Sequence, residues 1–417
     1  MEVPLTPGDL VDSFRKARKP AGSRSVGIEI EKMAVDSSTG LPLPYEGGTP
    51  SIRSVLEFLA GARPSRAVLE EGAPIGLEGD WGSITLEPGG QIEWSSPRAR
   101  TLGDLKRLAE AHLSLLASAE RSLGIRWLEP ALQPHASLAE MPWMPKRRYR
   151  IMRDYFRTRG VHAHRMMTQT ASVQVTLDYS SEEDWSEKFR AGFLLAPLAV
   201  AGFANSRVSE GRDSGYASFR SHIWRHTDDD RCGAPDFVFK ERFGFRDWVE
   251  YLLDLPTMFV ARGGELRPAA GVPYRLVLTG EWDGHPATHL DWELHLSEVF
   301  TEVRTKSTHI ELRSCDLPPD DLIMAVPAFW AGLLEGAGTR DEAVGLLGWE
   351  GPSARPTRDA WAAAMEEASR GGIAGRIRER PAGDLFVAAL SLARSGLAAF
   401  DPEGALLLDR LRERPPA

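Results

Sequence analysis

The chain has 417 residues, which is long enough for one large domain or two ordinary ones. Its composition, 42% hydrophobic and 26% charged, is that of a folded globular protein and excludes an intrinsically disordered chain. The formal net charge of −9 argues against a general nucleic-acid binder, because such proteins carry a basic surface.

No membrane or secretion signal is evident in the sequence. The first twenty residues lack a basic segment followed by an apolar run, so we expect no signal peptide. The longest apolar stretch, 191–204, is too short for a membrane span and contains Pro197. Two distant cysteines, Cys232 and Cys315, favour a reducing compartment. We therefore expect a cytoplasmic protein.

Alternating and helical patterns predict the elements in chain order. Residues 25–35 alternate as a strand, and 83–95 read as a hairpin around a Pro-Gly-Gly turn, whose three-residue loop would place Glu87 opposite Gln91. Thr101 can cap an amphipathic helix over 101–123, which Gly124 ends. Further predicted elements are a strand over 125–132, a helix over 145–157, a strand over 170–178, a helix over 180–205 capped by Ser180, a loop over 206–234, a helix over 291–299 and a strand over 309–313.

The last hundred residues are predicted to be mainly helical, with a Gly/Pro-rich interruption at 350–384. Strands and helices alternate without βαβ regularity, which favours an antiparallel α+β fold over a doubly wound sheet. No segment has the composition of an interdomain linker. We therefore expect a single domain over 1–417, with a core at about 25–335 and a helical C-terminal part at about 336–417.

Four predicted strands each carry a polar face, because side chains two residues apart in a strand point the same way. These faces carry Glu29 and Glu31; Glu87, Gln91 and Glu93; Ser172, Gln174, Thr176 and Asp178; and Glu311 and Arg313. They could be ordinary solvated faces of an antiparallel sheet. Clustered glutamates repel one another unless a cation lies among them, however, and carboxylates suit Mg²⁺. The composition favours a metal site.

Several familiar kinds of site have no signature in the sequence. There is no Gly-rich phosphate loop with a lysine, no HExxH and no G-x-S-x-G. His222 and His226 have the spacing of a helical metal pair but lack further ligands of that type nearby. Cys232 and Cys315 are interpreted as buried structural thiols.

Several segments, taken together and in order, resemble one enzyme family. They include GIEIEK at 27–32, LEPGGQIEWS at 86–95, MPKRRYRIMRDYF at 144–156, SFRSHIWRHTDDDRCG at 218–233 and DWELHLSEVFTEVRTKSTHIELRSCD at 291–316. The chain resembles glutamate–cysteine ligases of the plant and proteobacterial type over roughly 25–335. The resemblance implies a glutamine synthetase-like fold, in which a curved antiparallel sheet forms a funnel with helices outside.

The same resemblance implies roles for particular residues. The metal ligands would be Glu29, Glu31, Glu87, Glu93 and Glu311, holding two or three Mg²⁺ ions. Arg313 and Glu31 would act in catalysis, Gln174, Lys146 and Arg313 would contact ATP, and Arg220, Arg231, Thr170 and Trp224 would contact the amino-acid substrate.

The implied reaction is ATP-dependent joining of the γ-carboxylate of L-glutamate to the amine of L-cysteine through a γ-glutamyl phosphate, the first step of glutathione biosynthesis. Three alternatives remain open. The chain could be a related carboxylate–amine ligase with another acceptor, a kinase that stops at the acyl phosphate, or a non-catalytic binding protein on the same fold.

Overall fold

The computed structural model describes residues 4–20, 22–306, 308–349 and 356–412. The strands are β1 Val26–Lys32, β2 Ala34–Asp36, β3 Arg66–Glu70, β4 Ala73–Gly79, β5 Gly82–Leu86, β6 Ile92–Ser95, β7 Ile125–Trp127, β8 Val173–Leu177, β9 Val208–Ser209, β10 Arg212–Asp213, β11 Cys232–Gly233, β12 Pro256–Arg262, β13 Glu265–Pro273, β14 Phe300–Thr301, β15 Val303–Lys306, β16 His309–Leu312, β17 Arg376–Ile377 and β18 Arg380–Pro381.

The helices are α1 Pro7–Lys16, α2 Ile52–Ala62, α3 Leu102–Leu123, α4 Arg147–Tyr155, α5 Ala163–Gln169, α6 Glu182–Gly202, α7 Phe219–Arg225, α8 Phe245–Asp254, α9 Tyr274–Thr279, α10 His289–Leu296, α11 Ala325–Leu334, α12 Ala337–Gly345, α13 Arg358–Gly371, α14 Ala382–Ala398, α15 Pro402–Ala405 and α16 Asp409–Arg412. Short 3₁₀ turns lie at Leu138–Glu140, Phe156–Thr158, Asp236–Phe239, Gly372–Ala374, Asp320–Leu322 and Leu406–Leu408.

One large antiparallel sheet organises the fold. Its strand order is β15-β16-β8-β1-β6-β5-β4-β3. The apolar residues of the central strands, such as Ile28, Ile30, Val175 and Leu312, are buried. Helices α3, α6 and α11 contact these strands. The α+β prediction with a large antiparallel sheet is confirmed, because alternation in the strands leaves one face apolar for helices to cover.

The predicted element boundaries agree with the structure where local signals are strong. Helix α3 begins after Thr101, whose side chain accepts from the Asp104 amide, and ends at Gly124 in the left-handed conformation. The cap predicted at Ser180 is wrong by one residue. The capping side chain is Ser181, which accepts from the Asp184 amide.

Other expectations were too long or missed an element. The strand predicted over 125–132 is only Ile125–Trp127. The loop predicted over 206–234 contains helix α7. In the interruption predicted at 350–384, residues 350–355 lie outside the described residues and α13 occupies Arg358–Gly371. The hairpins β3–β4 and β12–β13 were not predicted, because their sequences lack clear alternation.

Candidate active site

The four strands with polar faces are immediate neighbours in the large sheet. Glu29 in β1 is paired with Gln174 in β8, and Glu31 in β1 is paired with Glu93 in β6. Glu311 in β16 lies opposite Thr176 in β8. Since paired residues in a ladder point to the same face, the sheet itself brings these carboxylates and the amide together.

The turn between β5 and β6 places Glu87 at the edge of this face. The Glu87 amide donates to the Gln91 carbonyl at 2.9 Å, which is the pairing predicted from the hairpin pattern. Gly90 has a φ of +87°, a conformation that favours glycine. A Cβ on Gly89 would lie 2.2 Å from the Thr168 carbonyl oxygen. The two glycines therefore let the turn pack directly against the end of α5.

The polar face of the sheet is covered rather than solvated. A cavity of about 220 Å³ lies between the sheet and residues from α4, α5, α7 and the segment before β14. Its lining includes Glu29, Glu31, Glu87, Glu93, Gln174 and Arg313 from the sheet, and Lys146, Arg148, Tyr149, Thr170, Trp224 and Phe300 from the covering elements. This burial removes the interpretation of the polar faces as an ordinary solvated sheet surface.

The carboxylates of the cavity are held in an unfavourable electrostatic setting. Burial, and then the negative charge of Glu87, raise the pKa of Glu31 to about 7, against the opposing effect of Arg220 and Arg313. Burial and the charges of Glu29, Glu87 and Glu31 raise the pKa of Glu93 well above its usual range. Carboxylates in this state bind a proton or a metal cation more readily than they remain ionised and unpaired.

A hydrogen-bonded chain links the carboxylates to a cation. The Gln174 side-chain amide donates to Glu31 at 3.1 Å, and its oxygen accepts from Arg313. Arg313 also donates to Glu311, which accepts from Arg304 at 2.6 Å. Although burial acts to raise the pKa of Glu311, the charges of Arg304, Lys306 and Arg313 hold it well below its usual range. Arg313 is thereby fixed in the cavity wall.

Lys146 reaches the cavity from the start of α4. Its Nζ donates to the Leu86 carbonyl at 3.1 Å and to the Tyr149 hydroxyl at 3.2 Å. Burial lowers its pKa, and the nearby Glu87 carboxylate counteracts that effect. A lysine ammonium held by neutral oxygens, beside but not paired with a carboxylate, is suited to an anionic ligand.

Arg220 and Trp224 project from α7 beside Arg313. Both guanidinium groups lie near the Trp224 ring, whose centroid is 5.5 Å from the Arg220 Cζ and 5.4 Å from the Arg313 Cζ. One Arg220 Nη donates to the Arg313 carbonyl at 3.1 Å, and the other Nη lies 3.7 Å from an Asp316 carboxylate oxygen. The buried Arg220 Nε, Arg313 Nε and Trp224 Nε1 have no hydrogen-bond partner among the described residues. These donors are available to an anion.

Thr170 lines the cavity, but its hydroxyl already has a partner. Its Oγ1 donates to the Met166 carbonyl at 2.7 Å, which fixes the end of α5. The backbone carbonyl of Thr170 accepts from the Gln91 side chain at 2.8 Å. Thr170 therefore anchors the covering helix to the hairpin in this structure.

Arg231 does not line the cavity, contrary to the expectation that it contacts substrate. Its side chain is fully buried and pairs with Asp228 at 2.7 Å. It also donates to the Glu298 carbonyl at 3.0 Å, the Tyr155 hydroxyl at 2.8 Å and the Pro256 carbonyl at 2.8 Å. These contacts commit its guanidinium to the protein itself, so we propose a structural role for Arg231 in place of the expected substrate contact.

Three cations of the cavity were missed by sequence reasoning. Arg148, Arg304 and Lys306 all line it. Arg304 and Lys306 alternate in β15 with apolar Val303 and buried Thr305, so a period-two pattern was present in the sequence. The pattern was too short to separate from the predicted helix over 291–299, whose observed end is Leu296.

The donor set fits magnesium by chemistry, because it consists of hard carboxylate oxygens, and two of the carboxyl groups have raised pKa values. Within residues 4–20, 22–306, 308–349 and 356–412, however, no three His, Cys, Asp or Glu side chains lie in an arrangement that could hold a metal ion. Ion binding therefore requires side-chain rotation. The His222 and His226 rings have their centroids 4.1 Å apart with an interplanar angle of 33°, and a His226 ring nitrogen lies 2.8 Å from the His222 carbonyl.

Comparison with known proteins identifies the family. Residues 25–406 match glutamate-cysteine ligase family 2. The chain belongs to this family. The chain is 40% identical over 337 residues to glutamate–cysteine ligase A of rice (Oryza sativa subsp. japonica), covering 80% of this chain and 68% of that protein. It is 40% identical over 334 residues to the tobacco (Nicotiana tabacum) enzyme, covering 79% of this chain and 63% of that protein.

The fold of this glutamate–cysteine ligase family member matches a solved structure. A glutamate–cysteine ligase of Francisella tularensis, crystallised in complex with AMP, superposes with a TM-score of 0.55 at 11% identity. The match covers 95% of this chain and 82% of that one. The predictions of the family, of the ligase class of enzyme and of the fold are confirmed.

The predicted cytoplasmic location is wrong. The relatives from rice, tobacco and Arabidopsis thaliana are chloroplastic by name, which contradicts that expectation. Two cysteines indicate a reducing compartment but cannot distinguish one such compartment from another.

Among the described residues, no single helix is both long and apolar enough to cross a membrane. One pair of segments, Asp320–Leu334 and Ala337–Gly345, is long and apolar enough when the two are counted together, but a bend of 101° separates them.

Proposed function

We propose that this member of glutamate-cysteine ligase family 2 joins the γ-carboxylate of L-glutamate to the amine of L-cysteine, with ATP as co-substrate. The observation that carries the proposal is the buried face on which Glu29, Glu31, Glu87 and Glu93 meet Gln174 and Arg313 under a cover of helices. The rice and tobacco relatives, which are glutamate–cysteine ligases by name, supply the substrates.

The proposed reaction has two balanced steps. An oxygen of the γ-carboxylate attacks the γ-phosphorus of ATP, the bond to ADP breaks, and an acyl phosphate forms. The amine nitrogen of cysteine then attacks the acyl carbon, phosphate leaves with the bonding electron pair, and the nitrogen loses a proton to solvent. Because both reactants of the first step are anions, the site must supply positive charge and exclude water.

Each residue has a role that its contacts support. Glu29, Glu31, Glu87 and Glu93 would hold Mg²⁺, which when bound supplies charge neutralisation between carboxylate and phosphate. Arg313, fixed by Gln174 and Glu311, stabilises negative charge on the transferring phosphoryl group. Glu311 accepts from Arg304 and Arg313 in this structure, so its role as a further ligand depends on release of at least one of them.

The amino-acid substrate is assigned to the α7 side, where Trp224 and Arg313 line both the cavity and a smaller adjoining pocket that Arg220 also lines. Arg220 carries an unpartnered buried donor there, and a guanidinium binds a carboxylate bidentately. Lys146, which lines the cavity beside Glu87, is assigned to the nucleotide phosphates. We do not extend the substrate role to Arg231.

The test is ADP and phosphate release from purified protein with Mg²⁺ and ATP, with and without each amino acid. Release that requires both glutamate and cysteine supports the ligase. Release with glutamate alone indicates an acyl-phosphate kinase, and release with other amines indicates another acceptor. Absence of turnover under every pairing would reject an enzymatic role. Glu110→Gln, an exposed change on α3, is the control variant and should be silent.

A further inference from the structure

Lys306, at the end of β15, sits among the carboxylates assigned to metal. Its Nζ lies 3.2 Å from a Glu311 oxygen and 3.9 Å from a Glu29 oxygen. Its side chain is 33% exposed and lines the same cavity as Glu29, Glu31, Glu87 and Glu93. An ammonium group therefore lies within 4 Å of two proposed ligands, Glu311 in β16 and Glu29 in β1.

The neighbouring Arg304 is held much more firmly than Lys306. Arg304 binds both oxygens of Glu311, at 2.6 and 3.2 Å, and donates to the Val299 carbonyl at 2.9 Å. The contacts described for the Lys306 ammonium are both to carboxylates. A long, partly exposed side chain with such contacts can leave them without stranding a buried backbone group, whereas Arg304 cannot.

A divalent cation and an ammonium cannot share the same carboxylate oxygens, because their charges repel and both need the same lone pairs. Metal binding must therefore displace Lys306 from Glu29. The displaced ammonium remains in a cavity whose proposed occupant is a triphosphate. Lysine binds phosphate oxygens as a mobile point charge, so that anion is its natural next partner.

We propose that Lys306 is an exchangeable cation of the active site, which neutralises Glu29 and Glu311 before the metal binds and then transfers to the phosphate oxygens of the nucleotide. This inference rests on the proposed function.

The test compares Lys306→Met with the wild type in two binding measurements of opposite expected sign. Mn²⁺ titration without nucleotide, followed by electron paramagnetic resonance, should show about tenfold tighter binding in the variant, because its competitor is gone. Binding of ATP in the presence of saturating Mg²⁺, measured by calorimetry, should weaken by about tenfold, because a phosphate contact is lost.

Two controls separate this exchange from simpler effects. Lys306→Arg keeps a cation, so Mn²⁺ should bind with wild-type affinity. Lys106→Met removes an exposed lysine on α3 that pairs with Glu110 at 3.5 Å, and should change neither measurement.

Weaker Mn²⁺ binding in Lys306→Met would show that the lysine supports the ligands structurally and would overturn the proposal. Unchanged affinity in both measurements would also overturn it. Neither measurement requires turnover. The outcomes can therefore be interpreted even if the wild-type protein does not ligate glutamate with cysteine.

Discussion

Two buried groups of charges in this molecule are built in opposite ways. In the Arg231 cluster, formed by Asp228, Arg231 and Glu298, the arginine has a carboxylate or oxygen partner for each of its nitrogens. In the carboxylate face, formed by Glu29, Glu31, Glu87 and Glu93, burial and then neighbouring negative charge raise the pKa values of Glu31 and Glu93. The carboxylate face lines the cavity under α4, α5 and α7, whereas Asp228, Arg231 and Glu298 do not line it.

This difference separates structural charge from functional charge. A buried ion pair with satisfied hydrogen bonds holds elements together, and removing one partner is costly. A group of like charges beside a cavity destabilises the fold and persists because a ligand compensates it. Burial alone therefore does not identify an active-site residue. A buried charge that lacks a compensating partner within the protein does.

The largest stability change should come from breaking the Arg231 cluster. Arg231→Met removes the partner of Asp228 and the donor to two backbone carbonyls, so the free energy of unfolding should fall by about 3–5 kcal/mol. Chemical denaturation of the purified variant measures this change. If the variant instead keeps wild-type stability and shows a raised KM for glutamate, Arg231 is a substrate residue and the comparison fails.

On the carboxylate face, we expect a substitution to reduce activity without reducing the free energy of unfolding. Glu31→Gln should lower kcat for ADP release by about 10²–10³-fold, the usual cost of losing one charge-stabilising group. Its metal-free stability should stay the same or rise, since the amide keeps the shape of the side chain and removes one like charge. Activity measured alongside thermal unfolding tests both; loss of stability equal to that of Arg231→Met would place Glu31 among the structural charges.

Much of the carboxylate face could be predicted from local sequence. Alternation in 25–35 put Glu29 and Glu31 on one side, and the turn length put Glu87 opposite Gln91. A two-residue alternation is sufficient for such inferences, because it determines which side chains of a single strand share a face. That these faces adjoin one another depends on strand order, and strand order depends on long-range pairing that alternation does not encode.

The cover of the cavity and the status of Arg231 could not be predicted this way. Arg148 and Trp224 reach the cavity from helices far apart in sequence. Arg231 lies in a segment resembling the family, but its partners come from 155, 228, 256 and 298. A guanidinium's role depends on which oxygens surround it, and those positions are known only once the chain is folded. The assignments of site residues to metal and substrate remain predictions.

Ligand binding should stabilise the carboxylate face and leave the Arg231 cluster unaffected. At a concentration of Mg²⁺ and ATP about 100 times the dissociation constant, the free energy of unfolding should rise by about 2.7 kcal/mol. Glu93→Gln should reduce this gain, whereas Glu110→Gln should keep it. Differential scanning calorimetry with and without a chelator makes the comparison. An equal gain in Glu93→Gln would mean that the ligand binds without this carboxylate.

The smallest expected effect is a pH dependence of the metal-free protein. Because the folded pKa of Glu31 is raised to about 7 from an ordinary value of 4.5, the folded state holds more protons between these values. Its contribution to stability is therefore present at low pH and lost as pH rises toward 7, by on the order of 1–2 kcal/mol. Denaturation at pH 5 and pH 8 with a chelator should show wild type losing this stability and Glu31→Gln retaining it. Saturating Mg²⁺ should abolish the difference, because a bound cation replaces the proton. A wild type that gains stability over this pH range would mean that Glu31 is ionised and well paired, like the carboxylates around Arg231.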